Sequence, residues 1–181
     1  PAAAAAGYAN LEKQRMRPWI LLTIGLVYFT GGFAQSSEPA KPEMMFSDSS
    51  RLGRPCAKDP AVVRFDGRYW MYFSLPPHAD RSKGTGWQAG VAVSDDLIQW
   101  KKVGEIIGEP GGPEAKGLAA PEAIVLDGKV HLFYQTYGNR AKDAICHAVS
   151  DDGIHFQRNP TNPIFRPTGD WTVGRAIDAE V

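Results

Sequence analysis

Short runs of apolar, β-branched and aromatic residues occur in pairs along the chain, and an Asp-Gly dipeptide separates the two runs of each pair. The first pair spans residues 61–73 and the second spans residues 123–134, with the dipeptides at 66–67 and 127–128. An Asp-Gly dipeptide between two such runs is a strong signal for a two-residue hairpin turn. The pattern therefore predicts two β-hairpins, 61 residues apart.

The segment that follows each hairpin is also repeated. Residues 91–100 read Val-Ala-Val-Ser-Asp-Asp-Leu-Ile-Gln-Trp, and residues 148–156 read Ala-Val-Ser-Asp-Asp-Gly-Ile-His-Phe. Both predict a third strand, a Ser-Asp-Asp turn and a short fourth strand that ends in an aromatic residue. Four short antiparallel strands in a unit of about 60 residues is the pattern of a β-propeller blade. A β-sandwich with two similar hairpins is the alternative.

A third unit is expected to begin at residues 176–181. Because propellers have about four to eight blades, we expect an all-β fold of which this chain holds two blades and the start of a third. The composition agrees with this fold class. The chain has 19 Gly and 14 Pro residues among 181. Because these residues interrupt helices and favour turns, this content argues against a helical bundle and suits a turn-rich β protein.

Charge argues against two kinds of partner. Lys plus Arg and Asp plus Glu each number 20, so the formal net charge is zero. Proteins that bind nucleic acid by neutralising phosphates carry a basic excess, and so do proteins held electrostatically at membranes. The two cysteines, Cys56 and Cys146, are too few for a disulfide scaffold. A disulfide between them after export and two buried thiols both remain open, and we favour the thiols.

The first fifty residues are expected to lie outside the folded domain. Residues 1–15 are an Ala-rich lead-in, and residues 16–34 carry a basic flank, an apolar run of about 11 residues and small residues before a cleavage site. That run is shorter than the ~20 residues of a membrane span and fits a secretory signal peptide. Residues 35–50 are predicted to be a linker, and residues 51–181 a partial propeller domain that is periplasmic or secreted, without a membrane partner after cleavage. An uncleaved membrane anchor is the alternative.

Carboxylates recur where each predicted blade begins. Asp59 and Asp178 occupy the same slot in the first and third units, and Glu122 lies one position later in the second. Innermost strands line a propeller's channel, so residues at their starts converge near one mouth of it. Glycoside hydrolysis needs several carboxylates at one place, because one activates water, another protonates the leaving oxygen and others stabilise positive charge on the sugar. The sequence contains no phosphate-binding Gly-rich loop, closely spaced Cys/His metal set or nucleophile elbow.

Six motifs lie at residues 58–60, 69–77, 131–139, 142–148, 163–171 and 174–180. Together they resemble glycoside hydrolase family 117, the α-1,3-(3,6-anhydro)-L-galactosidases or neoagarobiose hydrolases. The resemblance implies a five-bladed β-propeller that acts on the non-reducing end of agar-derived oligosaccharides with inversion at the anomeric carbon. It implies Asp59 as the general base and Asp178 as a second active-site carboxylate, with the general acid in a later blade.

The same resemblance leaves two features open. No cofactor is required, although a divalent cation in the channel is compatible with the family. Family members also exchange an amino-terminal helical segment between subunits, and residues 49–55 match at most a short part of that segment. A homodimer is therefore an open alternative.

Further side chains are candidates for binding the sugar. Trp87 follows a Gly-rich loop, where an aromatic ring can stack on a sugar, and a Gln amide can both donate to and accept from hydroxyls. The candidates are Trp87, Glu122, Gln135, Thr136, His147, Arg175 and Glu180. Packing within or between blades is the alternative for Trp87 and His147, and hydrogen bonding to a neighbouring strand is the alternative for Gln135 and Thr136. Arg175 has a further expected role in holding Asp178 ionised by charge pairing.

Two other functions compete with the agar-oligosaccharide hydrolase. A five-bladed α-L-arabinofuranosidase or β-xylosidase shares the blades that start with Asp. A non-catalytic sugar-binding propeller would bind sugar without turning it over.

Overall fold

The computed structural model describes residues 46–181, which form two antiparallel sheets of four strands each. In both sheets every strand pairs with the next along the chain, and no α-helix is present among the described residues. The strands of blade 1 are β1 Lys58–Phe65, β2 Arg68–Leu75, β3 Gln88–Ser94 and β4 Lys101–Ile106, and those of blade 2 are β5 Leu118–Leu126, β6 Lys129–Thr136, β7 Ile145–Ser150 and β8 Gln157–Arg158. The expected all-β fold of propeller blades is confirmed.

The lead-in, the signal peptide and most of the linker predicted from the sequence lie outside the described residues. Within residues 46–181, none of the short helical turns has the length and apolar character needed to cross a membrane.

Both predicted hairpin turns are present. Asp66 and Gly67 have φ angles of 47° and 76°, and Asp127 and Gly128 have φ angles of 51° and 72°. Two successive positive φ angles are typical of a type I′ turn, which matches the twist of the flanking strands and which Asp and Gly tolerate well. The two hairpins belong to separate sheets, as separate blades require.

The Ser-Asp-Asp turn after each third strand is built in the same way in both blades. In blade 1, the Ser94 hydroxyl and the Asp96 carboxylate together accept four backbone N–H groups. In blade 2, Ser150 and Asp152 accept the four equivalent groups. The prediction that the fourth strand ends in the aromatic residue is wrong. β4 begins directly after Trp100, and β8 begins at the equivalent point, because the Ser-Asp-Asp turn uses the residues before the aromatic.

Aromatic side chains pack the two blades together. Tyr72 of β2 is fully buried, its hydroxyl donates to the carbonyl oxygen of Gly153 at 3.0 Å, and its ring lies edge-on to Phe156 with centroids 5.7 Å apart. Trp70 packs so closely on Gly153 that a Cβ there would lie 2.8 Å from the indole. Burial raises the pKa of Tyr72 well above its ordinary value. These contacts fix blade 2 against blade 1, so that β5 lies beside β1.

Residues 46–56 pack against blade 1. Asp48 and Arg51 are both buried, and the Arg51 guanidinium donates to the carboxylate of Glu105 in β4. The end of the segment that the sequence predicts as a linker, residues 35–50, is therefore attached to the blade.

Candidate active site

Each of the two blades begins with one residue in the left-handed region of backbone conformation, and a third such residue lies within residues 176–181, where a third unit is expected and no strand is formed. These residues are Asp59, Ala120 and Asp178, with φ angles of 51°, 46° and 52°. In β1 and β5 the residue lies in a β-bulge, where two residues of the first strand oppose one of the second. Asp59 and Ala120 therefore occupy equivalent positions of their blades. Asp178 corresponds to them in its φ angle and, like Ala120, donates its N–H to a side chain of the preceding unit.

This equivalence changes the alignment that the sequence suggests for blade 2. Ala120 fills the Asp59 slot, and Glu122 lies two positions after that slot and not one. The strand register decides the alignment. A sequence signal for it exists, because a proline follows the slot in both blades, at Pro60 and Pro121.

The three blade starts surround one cavity of about 360 Å³. Four carboxylates line it, and no lining residue carries a positive charge. The lining residues are Asp59, Pro60, Ala120, Pro121, Glu122, Asp178, Ala179, Glu180 and Val181. The structure thus brings four of the candidate residues together. A cavity of this charge favours positive charge that develops in a transition state and disfavours anionic ligands.

Two side chains contact the Asp59 carboxylate. The hydroxyl of Ser74 donates to Oδ2 at 2.8 Å, and Nζ of Lys58 lies 3.0 Å from the same oxygen. Ser74 is fully buried near the end of β2, whereas the Lys58 side chain is exposed, so the serine contact is the more rigid one. The sequence gives no signal for Ser74, because a lone serine in a strand becomes informative only when the β1–β2 register is known.

Asp178 is held through its backbone. Its N–H donates to Oε1 of the buried Gln135 at 3.0 Å. Arg175, which the sequence suggests as a charge partner of Asp178, instead places Nε 3.3 Å from Oδ2 of Asp143. The reason is local: the Ala176 N–H donates to the carbonyl oxygen of Asp143 at 2.9 Å, which draws the preceding residue to the same side chain.

Thr136 and His147 lie away from the cavity. Thr136 is buried, and its hydroxyl accepts the Ala144 N–H and donates to Asp143. His147 lies on β7, two strands away from β5, with Nε2 3.0 Å from Nδ1 of His131. Burial and the neighbouring His131 lower the pKa of His147. Neither residue lines the cavity, and the contacts of both are structural.

Trp87 and Tyr137 form a partly exposed aromatic pair near the cavity. Their ring centroids lie 5.8 Å apart. Nζ of Lys58 lies 5.9 Å from the centroid of the Trp87 ring and also contacts Asp59. An apolar ring surface this close to a carboxylate suits the apolar face of a sugar ring.

The described residues do not fit the divalent cation that the resemblance leaves open. Such an ion needs several oxygen ligands at about 2.0–2.6 Å. Among residues 46–181, no group of three or more His, Cys, Asp and Glu side chains is placed to hold a metal ion.

The fold and the cavity define a class of protein, the β-propellers that present carboxylates where successive blades begin. Residues 57–174 match the glycosyl hydrolases family 32 N-terminal domain, and the chain belongs to this family.

Two curated relatives are similar to the chain in sequence. The chain is 26% identical over 124 residues to a 1,2-β-oligomannan phosphorylase of Thermoanaerobacter sp. (strain X514), covering 65% of this chain and 42% of the relative. It is 26% identical over 102 residues to a sucrose-6-phosphate hydrolase of Bacillus subtilis (strain 168), covering 54% of this chain and 21% of the relative. The chain thus spans less than half the length of either relative.

A solved structure of a family 117 glycoside hydrolase from Zobellia galactanivorans shares the fold, with a TM-score of 0.53 and 23% identity over 70% of this chain and 36% of that chain. The resemblance to propeller glycoside hydrolases is confirmed at the level of the fold and of the family match. The narrower assignment to family 117 stays a prediction.

Proposed function

We propose that the full-length protein is an exo-acting glycoside hydrolase, with Asp59 as general base and Asp178 as a second carboxylate of the active site. The observation that carries this proposal is the cavity in which both carboxylates, at equivalent blade starts, meet Glu122 and Glu180. Asp59 would take a proton from the attacking water, and an acid from another part of the propeller would protonate the leaving oxygen. For inversion the base and the acid should stand about 6.5–9.5 Å apart.

The Asp59 carboxylate has one oxygen available for this task. Ser74 and Lys58 both contact Oδ2, and among the described residues no group donates to Oδ1. Oδ1 would therefore accept the water proton. Asp178 would stabilise the positive charge that develops at the sugar ring.

We propose neoagarobiose and related agar oligosaccharides as substrates, with release of 3,6-anhydro-L-galactose from the non-reducing end. The motifs that resemble family 117 support this choice. An α-L-arabinofuranosidase or β-xylosidase is supported equally by the fold, and the Bacillus subtilis relative adds hydrolysis of sucrose 6-phosphate as a candidate. A non-catalytic sugar-binding propeller is the remaining alternative.

Phosphorolysis, the reaction named for the mannan phosphorylase relative, is a further candidate. It differs from hydrolysis in using phosphate and not water as the nucleophile, so the presence of phosphate in the assay distinguishes the two reactions.

The test is product analysis with the full-length protein on a panel of neoagarobiose, aryl α-L-arabinofuranoside, aryl β-xyloside, sucrose 6-phosphate and β-1,2-mannobiose with phosphate. Hydrolysis of neoagarobiose alone is the expected result. Asp59→Asn should lower kcat by about 10²–10⁴-fold, the usual contribution of a general base. Asp66→Asn is the matched control, because Asp66 has a similar positive φ but lies at the opposite end of β1. Wild-type turnover in Asp59→Asn would remove Asp59 as the base, and binding without turnover of any panel sugar would favour the non-catalytic propeller.

Export belongs to the same proposal. The signal peptide expected at residues 16–34 would direct the enzyme to the periplasm or the medium. Amino-terminal sequencing of the mature protein should find Gln35 at or near its start, and a product that retains residues 16–34 would contradict export.

A further inference from the structure

Ser74 makes two hydrogen bonds that join the starts of both blades. Its hydroxyl donates to Oδ2 of Asp59 at 2.8 Å and accepts the N–H of Ala120 at 2.7 Å. A serine hydroxyl has one proton to donate. The Ala120 N–H is itself a donor, so the Ser74 proton is directed to the Asp59 carboxylate.

We propose that Ser74 is the positioning residue for Asp59, an inference that rests on the proposed role of Asp59 as general base. Ser74 does not line the cavity, so it acts through Asp59 and not on the sugar. It binds Oδ2 from a fully buried position on β2. This hydrogen bond restricts rotation of the Asp59 side chain about its χ angles and leaves Oδ1 free to contact water.

The same atom ties this orientation to the packing of the blades. Ala120 is the left-handed residue that begins blade 2, and its N–H is held by the Ser74 oxygen. A shift of blade 2 relative to blade 1 would therefore move Ser74 and, through it, Asp59. The base is oriented by the inter-blade contact as well as by its own strand.

Gln135 occupies the equivalent position in blade 2. Ser74 lies opposite Lys58 in the β1–β2 ladder, and Gln135 lies opposite Ala119 in the β5–β6 ladder. Lys58 and Ala119 each directly precede the left-handed residue of their strand. Gln135 likewise accepts the N–H of the left-handed residue of the next unit, Asp178. Accepting this N–H is thus the shared scaffold function of the position, and the bond to the carboxylate is the feature that Ser74 adds.

The experiment compares Ser74→Ala with Ser94→Ala in the full-length protein, using neoagarobiose or whichever panel glycoside the wild type hydrolyses. Ser94 is the matched control because it is also buried and its hydroxyl also accepts backbone N–H groups, but at a turn far along β3 from the cavity. Ser74→Ala should lower kcat by about 10²-fold, the effect of a small misplacement of a catalytic group, with KM changed less than about 3-fold. Ser94→Ala should keep kcat within about 3-fold of the wild type, while lowering the melting temperature by about as much as Ser74→Ala does.

Two further measurements separate positioning from loss of structure. Ser74→Thr keeps the hydroxyl and should recover most of kcat. A crystal structure of Ser74→Ala should show the Asp59 side chain in more than one orientation or turned from the cavity, a readout that needs no activity. Unchanged kcat in Ser74→Ala, or a single unchanged Asp59 orientation, would overturn the inference.

The outcome also distinguishes this inference from the proposed function. If Asp59→Asn loses turnover and Ser74→Ala does not, Asp59 is the base and Ser74 does not position it. If Asp59→Asn keeps turnover, the proposed role of Asp59 fails, and the crystal structure alone then decides whether Ser74 orients its carboxylate.

Discussion

Arg158→Met should destabilise the protein strongly, because it would leave the Glu114 carboxylate buried without its cationic partner. Glu114 lies in the connection between the blades, and Arg158 lies in β8, with Nε of the arginine 2.8 Å from Oε1 of the glutamate. The Glu114 side chain is 2% exposed, and the hydroxyl of Tyr134 donates to the same oxygen at 3.2 Å. The tyrosine bond alone does not neutralise the charge.

The structure sets the size of the effect. Breaking a buried ion pair by removing one partner costs about 3–5 kcal/mol. Arg158 also donates to the carbonyl oxygen of Ile107 at 2.8 Å, a bond that methionine cannot make. The Arg158 side chain is 13% exposed, so water can reach the space that the guanidinium leaves. We therefore expect the free energy of unfolding to fall by about 3 kcal/mol, at the lower end of this range.

Urea unfolding followed by tryptophan fluorescence measures this loss from the transition midpoint and slope. Lys129→Met is the matched control, since Lys129 and Asp151 pair at a similar 2.9 Å but with side chains 48% and 81% exposed. The control should change stability by no more than about 0.5 kcal/mol. Adding Glu114→Gln to Arg158→Met should recover part of the loss, because no charge then stays buried. If Arg158→Met lowered the free energy of unfolding no more than Lys129→Met does, burial would not be the reason why the Arg158–Glu114 pair stabilises the protein.

Two further predictions concern titratable groups. The pKa of His147 is lowered in the folded protein by burial and by His131, so the unfolded chain binds more protons around and below the ordinary histidine pKa of about 6.5. Stability should therefore fall as the pH drops from 7.5 to 5.5. Urea unfolding at both pH values should show a flatter dependence for His147→Gln. An unchanged slope in the variant would contradict this assignment. Cys56 and Cys146 are both free, and burial raises the pKa of the Cys146 thiol to about 12, so a thiol reagent should label partly exposed Cys56 in the native protein and both cysteines only after denaturation. Failure to label either cysteine in denatured, unreduced protein would indicate a disulfide instead.

The hairpins and the Ser-Asp-Asp turns could be predicted from the sequence because they are local. The turn at Asp66 depends on the φ angles that two adjacent residue types tolerate. The turn at Ser94 depends on side chains that accept N–H groups from residues at most three positions further along the chain. No knowledge of the rest of the chain is needed for either feature.

The site could be predicted only in part, because its remaining features depend on register. Asp59 and Asp178 stand out as carboxylates at the repeat period. Ser74 does not, since its partners Asp59 and Ala120 are 15 and 46 residues away. The predicted offset of Glu122 is wrong because a β-bulge decides which residues are equivalent, and the proline that follows the slot in both blades is a local signal of the correct alignment.

The contacts at the blade starts explain why the scaffold is easier to find than the chemistry. The N–H of Leu118 donates to the carbonyl oxygen of Trp87, and the N–H of Ala176 donates to that of Asp143, so the backbone bonds that attach each new unit are the same. Two positions later, the left-handed residue is alanine in one unit and aspartate in the next. The backbone geometry repeats at the three unit starts, whereas the side chain at the left-handed position is aspartate at 59 and 178 and alanine at 120. The repeat period in the sequence therefore finds the blades and these two carboxylates, and the strand register is needed to find the residues that contact them.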